Sequence, residues 1–294
     1  MEPCGATHVA LARDSLAAAA AYADGSLCLF GLEGAPCLRW KAPAPRPGAV
    51  AGLALAQRLH GTRLLVAYAD GALLLLEGMT GKVAGRLQAG SGGSTSSGDP
   101  VCSLSVCPAD SSLLMLCRRT SATAYKVHYS KSAGAQALAS VVLDDVNAEV
   151  AAVAAPAAAV AASAPGIVGA WSSRHEGHCW LAGPARPGQL LLLDTATGAV
   201  VKTSLLPCAA PLTALAVPPG EALLAAGAAD GSLLLLRADT EAWARMPAAH
   251  GGSPVLGLAF SSCGRWLYSG GSAATLVWDL RGETEEEDAA TGDG

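Results

Sequence analysis

Three ten-residue stretches carry nearly the same message: AYADGSLCLF at 21–30, AYADGALLLL at 67–76 and GAADGSLLLL at 227–236. Each sets a short apolar run, then Ala-Asp-Gly or its equivalent, then a second apolar run. Asp-Gly favours a tight hairpin turn, because Gly takes positive φ at little cost and the Asp carboxylate accepts from amides of its own turn. The flanking runs have strand length but do not alternate apolar with polar. Leu74-Leu75-Leu76 and Leu233-Leu234-Leu235 therefore predict strands covered on both faces. Asp24-Gly25, Asp70-Gly71 and Asp230-Gly231 are then the corners of buried hairpins.

Spacing extends the hairpins into an architecture. Asp24 and Asp70 lie 46 residues apart, and Asp70 and Asp230 lie 160 apart, four steps of 40. A repeat of that length, built from antiparallel hairpins, is the period of a four-stranded propeller blade. The expected fold class is all-β, a β-propeller. At 294 residues and 51% apolar composition the chain buries a large core as one domain, and seven units of about 42 residues would fill it.

The last unit is the most explicit. PVLGLAF (254–260) predicts a strand, SSCG (261–264) a turn, RWLYSGG (265–271) a second strand and ATLVWDL (274–280) a third, with His250-Gly251 just before them. Here the sequence resembles the WD40-repeat family: His250-Gly251 is similar to its Gly-His element, and Trp278-Asp279 matches its signature dipeptide. The resemblance implies a WD40-like propeller and a hydrogen-bonded cluster of His250, Ser269 and Trp278. The family's hairpin Asp is missing from this unit, where the turn reads Gly-Ser-Ala-Ala. Other units keep Asp24, Asp70 or Asp230 and place Leu or Phe where the Trp would stand.

Five earlier units follow the same plan, at 7–34, 49–81, 101–130, 178–198 and 211–241, and DTATG at 194–198 resembles the family's turn after the third strand. The interval between the third-strand starts near 121 and 189 is too long for one repeat. A degenerate unit at 147–172 (EVAAVAAP, AAVAAS, IVGAW) would supply a seventh blade. Alternatively IVGAW is the first strand of the next unit, and 144–166 is an insertion in a six-bladed ring. Total length favours seven. Segments 43–48 (PAPRPG) and 90–100, rich in Gly and Ser, are expected as inter-blade loops. The last blade is expected to be three-stranded, or its edge to be covered by a partner, since little sequence precedes the first strand and the closing segment is too acidic to pair comfortably. The domain expectation is a propeller over 1–281 and an acidic disordered tail over 282–294.

Charge and composition narrow the function. The segment 282–294 holds six of the 24 acidic residues, leaving 18 against 19 basic groups elsewhere. Such a near-neutral body offers no field for nucleic acid or an anionic membrane. Nine cysteines without CxxC spacing suit buried thiols in a reducing compartment, cytoplasm or nucleus. LAAAAAYA (16–23) is a poor secretory signal, since cleavage would cut the first Asp-Gly corner. The uncharged stretch 150–173 contains Pro156, Pro165 and Gly166 and makes a weak membrane span.

No convergent chemistry emerges. HEGH (175–178) lacks the helical spacing that lets two ligands share one face. His178 and Cys179 are strand neighbours on opposite faces, which is the wrong placement for a nucleophile and its base. Gly78–Lys82 and the Gly-Ser run at 90–98 fall short of phosphate-binding loops. No catalytic residue, metal site or cofactor is expected. The predicted function is a non-catalytic scaffold that binds other proteins through propeller rims, within a hetero-complex. Arg118, Arg119, Trp171, Arg174, His175, Trp243 and Arg245 are the candidate rim contacts, because Trp and Arg dominate interface energetics. The alternatives are a ligand or enzymatic site in the central channel, or a phosphoinositide-binding propeller. The first would need inward polar groups, which the first-strand segments hardly supply. Leu116-Cys117-Arg118-Arg119-Thr120 only partly resembles the basic motif that the second implies.

Overall fold

The computed structural model describes residues 6–11, 17–22, 26–31, 38–41, 50–58, 61–77, 80–88, 100–107, 110–128, 134–142, 166–172, 177–184, 186–218, 220, 223–237, 240–271 and 274–280. Their regular structure is entirely strand, in six antiparallel sheets that follow chain order. Sheet one is β1 (Ala6–Leu11), β2 (Ala17–Tyr22), β3 (Ser26–Gly31) and β4 (Leu38–Lys41); sheet two is β5 (Val50–Arg58), β6 (Gly61–Tyr68), β7 (Ala72–Glu77) and β8 (Val83–Gln88). Sheet three is β9 (Val101–Val106), β10 (Leu113–Arg118), β11 (Ser121–His128) and β12 (Gly134–Val142); sheet four is β13 (Val168–Trp171), β14 (His178–Ala182), β15 (Gln189–Asp194) and β16 (Val200–Leu205). Sheet five is β17 (Leu212–Ala216), β18 (Leu223–Ala228), β19 (Leu233–Arg237) and β20 (Trp243–Met246). Sheet six has three strands, β21 (Val255–Phe260), β22 (Trp266–Gly271) and β23 (Thr275–Asp279).

First strands touch in order, β1 against β5, then β9, β13, β17 and β21, and β21 in turn reaches β1. The sheets thus surround one axis as a β-propeller. The stretch IVGAW enters sheet four: β13 pairs with β14 from Val168 opposite Ala182 to Trp171 opposite Cys179. Sheets three and four are direct neighbours, with the Ile167 amide donating to the Arg118 carbonyl at 3.0 Å. The described residues hold six sheets. The remainder of the expected seventh unit, 147–165, lies outside them, as do both predicted loops except Pro100, and the acidic segment 282–294.

Among the described residues the core consists of five boundaries between sheets, and each of sheets two to five divides its apolar residues between two of them. On β7, Leu74 and Leu76 face sheet one, in a cluster with Leu27 and Leu29, while Leu73 and Leu75 face sheet three, with Leu114 and Leu116. Leu191 and Leu193 of β15 pack on Met115 and Cys117, and Leu190 and Leu192 pack on Leu224 and Leu234. The last cluster joins Ala225 and Leu233 to Leu267. This double burial is why the Leu runs do not alternate. The wedge also tapers. In sheets one and five the second strands carry small residues, AAAAAY in β2 and LLAAGA in β18, where third strands carry leucine. At Gly227 of β18 an added Cβ would stand 2.5 Å from Val255 Cγ1, so the sheets approach closer there than any other residue allows.

Two recurring turns set the strand pairing. In the hairpins before β7 and β19, Asp70 Oδ1 accepts from the Ala72 amide at 3.0 Å and Asp230 Oδ1 from the Ser232 amide at 2.9 Å, with Gly71 and Gly231 at φ 89° and 79°. The predicted corners at 70–71 and 230–231 lie between adjacent antiparallel strands; Asp24 and Gly25 fall outside the described residues. A second turn joins third to fourth strands, closed by amide-to-carbonyl bonds from Gly81 to Glu77, Gly198 to Asp194 and Glu241 to Arg237. Its last residue needs positive φ, yet the third copy holds Glu241 at 56°.

Substitutions at two positions test these turns with opposite signs. Gly231→Ala brings a Cβ within 2.8 Å of the Ser253 carbonyl oxygen as well as straining φ, and is expected to cost about 1–3 kcal/mol in denaturant unfolding. Glu241→Gly and Glu241→Ala both delete the exposed contact with Lys202. The Gly variant should exceed the Ala variant by about 1 kcal/mol, the usual penalty of a Cβ in the left-handed region.

Candidate functional site

The WD40-like residues come together between sheets five and six. His250 lies on the connection from β20 to β21. Its backbone amide donates to the Gly231 carbonyl at 3.2 Å, at the tip of the hairpin in sheet five. Its Nε2 lies 2.8 Å from Ser269 Oγ, on β22 of sheet six, and the Trp278 indole N–H of β23 donates to the same oxygen at 2.8 Å. Ser269 is fully buried, and the His250 ring lies over Gly271, where a Cβ would stand 2.7 Å from Nδ1. The three residues expected to cluster do so, and the cluster fastens one sheet to the next. Asp279 turns outward to a two-point pair with Arg265, at 3.2 and 2.9 Å, while the Arg265 guanidinium sits 4.4 Å over the Trp266 ring.

The expected rim residues divide. Trp171 is no rim residue: it is 2% exposed, and its indole N–H donates to the Ser105 carbonyl across the boundary of sheets three and four at 3.1 Å. A buried indole needs an acceptor, and the neighbouring sheet provides it. Arg118, expected at a solvated hairpin tip, is also buried, at 8% exposure. Arg119 is half-buried, and Trp243 is half-buried against the cluster between sheets four and five. Arg245 is exposed and bonds Asp230 and Ser232, both at 3.1 Å. Burial works against ionisation of Asp230, but the Ser232 amide and hydroxyl together with Arg245 outweigh it and hold the carboxyl below its ordinary value. Arg174 and His175 fall outside the described residues.

Exposed apolar side chains stand elsewhere, where sequence reasoning named nothing. Val200, Val201 and Leu205 are 44, 57 and 73% exposed on β16, the outer strand of sheet four. Leu256, Tyr268 and Val277 of sheet six are 65, 39 and 54% exposed. The signal was positional: a strand following a completed three-strand meander is outermost, so its apolar residues have a side with no neighbour.

Polar groups near the axis are used between sheets. Thr213 Oγ1 donates to the Val255 carbonyl at 2.6 Å, and Ser103 Oγ to the Ile167 carbonyl at 3.4 Å. The seven described cysteines are free thiols. Burial pushes the Cys117 thiol up to about 12 and raises the fully buried Cys179 well above its ordinary value, which makes both poor nucleophiles. Among the described residues no group of three His, Cys, Asp or Glu side chains is placed to hold a metal ion, and no helix is long and apolar enough to cross a membrane. Ser269→Ala removes the hydroxyl that serves both Trp278 and His250. It should cost about 1–3 kcal/mol in unfolding free energy, and a double-mutant cycle with His250→Ala should return a coupling of about 0.5–3 kcal/mol.

Comparison with known proteins agrees with this geometry. The model of the family described as "WD domain, G-beta repeat" matches residues 245–279, the span from Arg245 to Asp279 that contains the His250–Ser269–Trp278 cluster. A search of curated proteins finds no match. Among solved structures, a chain in "Crystal Structure of Mitotic Checkpoint Complex" aligns at TM-score 0.66 and 17% identity, over 95% of this chain and 76% of that one. The chain is therefore a β-propeller whose residues 245–279 match the WD40 repeat.

Proposed function

We propose that the chain is a non-catalytic propeller scaffold that holds other proteins on its outer strands, as one subunit of a hetero-complex. The observation that carries this reading is the apolar row on β16, where Val200, Val201 and Leu205 all stand exposed. Apolar side chains grouped on an otherwise polar surface mark places where another protein excludes water. The inner hydroxyls, bonded to carbonyls of the neighbouring sheet, support a structural use of the axis. The similar fold found within a mitotic checkpoint complex supports assembly with other proteins. Free thiols support a reducing compartment, cytoplasm or nucleus.

Affinity purification of the full chain from cells, followed by cross-linking mass spectrometry, tests the proposal. The expected result is a stoichiometric protein partner cross-linked beside β16, and a tenfold or greater loss of that partner in the Val201→Asp, Leu205→Asp double variant at unchanged melting temperature. Recovery of the chain as a lone monomer with a tightly held small molecule or metal would overturn it.

A further inference from the structure

Sheet six breaks the rule of the other five. Their second strands are buried on both faces, as Leu65 and Val66, Met115 and Leu116, or Trp180 and Leu181 show. In sheet six, among the described residues, only one face is covered. Leu267 and Ser269 point to sheet five and are fully buried, while Tyr268 between them is 39% exposed. Strand register places Ala259 and Val277 opposite Tyr268, and Gly257 opposite Gly270, on the same open side. No atom of another described strand lies within 4 Å of where a Cβ on Gly257 would stand.

Among the described residues the outer edge of β23 is open as well. Bonds from the Gly271 amide to the Ala274 carbonyl and from the Leu280 amide to the Arg265 carbonyl fix the ladder. Antiparallel alternation then turns the amides of Thr275 and Val277 away from β22. In the other sheets a fourth strand takes this position, after a connection of five or six residues. Four of those five strands carry Lys or Arg among apolar residues: LRWK, VAGRLQ, VVKTSL and WARM. The corresponding stretch beyond β23 reads EEEDAA at 285–290, four carboxylates in six residues, with Glu283 just before it. Like charges on adjacent positions and low strand propensity make it a poor fourth strand. In sequence Glu283 is joined to the end of β23 by only three residues, 280–282, so the negative charge that begins there is tethered to that end of the strand.

Building on the scaffold reading, we infer that β23 accepts an extended segment of a partner protein, in which apolar residues alternate with Lys or Arg, as the fourth strand of sheet six. Main-chain bonds to the outward amides and carbonyls of Thr275 and Val277 supply the pairing, and Val277 with Tyr268 supplies the apolar surface beside it. The carboxylates at 283–288 attract the basic residues of the incoming strand and disfavour an acidic one.

Hydrogen exchange of the full chain tests this with two synthetic probes, an eight-residue peptide alternating Val and Lys and its Val and Glu counterpart. The Val-Lys peptide should slow exchange of the Thr275 and Val277 amides at least tenfold, with an effect that weakens as salt rises, while the Val-Glu peptide should not. Val277→Pro, which removes an outward donor on an edge strand where proline is tolerated, should abolish the protection while leaving the melting temperature near that of the parent. Three results overturn the inference: protection of both amides in the free chain, equal protection by the acidic peptide, or unchanged peptide binding in Val277→Pro. Sedimentation that shows a dimer dispersed by Val277→Pro overturns it in favour of a second copy. Failure here with the β16-dependent partner retained removes only this edge; loss of both removes the scaffold reading itself.

Discussion

Contact between facing sheets holds this molecule together, and no sheet owns its own core. A four-stranded antiparallel meander with leucine on both faces leaves both faces wet unless something flanks it. Burying each such side chain is worth about 1.5–3 kcal/mol, so the sheets exist as a set. The repeat of about 40 residues is the sequence expression of that dependence: each unit must present a complementary wall to the next. The position of the small residues follows. In sheets one and five, alanine and glycine of the second strand fill the narrow part of the wedge, and leucine of the third strand fills the wider part further out.

That logic made much of the fold legible in the amino-acid sequence. Asp-Gly turns are local chemistry, so Asp70 and Asp230 could be placed from four neighbouring letters. Non-alternating leucine runs reported burial on both faces, and Leu73 to Leu76 are divided between two boundaries as that predicts. His250, Ser269 and Trp278 lie within one unit and could be grouped by resemblance. The alanine-rich stretches were harder to weigh. Composition alone could not separate a codon preference from a packing requirement, and only the convergence of β2 and β18 on their neighbours gives those residues a geometric reason.

What could not be read was long-range. Trp171 finds its acceptor 66 residues away in sequence, across a sheet boundary, and nothing near it distinguishes such a buried indole from an exposed one. Arg118 likewise ends a strand that another sheet happens to cover. The stretch IVGAW has the composition of any inner strand, so its assignment to sheet four rests on pairing with β14. The exposed apolar rows on β16 and sheet six were invisible for the converse reason. Exposure is set by which strand is last in its sheet and which sheet is last in the ring, and a repeat pattern describes the typical unit better than the terminal one.

The stitch formed by His250 has a mechanical consequence. Its backbone holds the hairpin tip of sheet five and its ring holds the middle of sheet six, so those two walls are bound to move as a single body. With hydrophobic seams at the four preceding boundaries, the described sheets behave as a continuous curved strip whose two ends meet where β21 reaches β1. Tension, heat or an inserting strand would part it first at that meeting point, the circle opening there like a clasp.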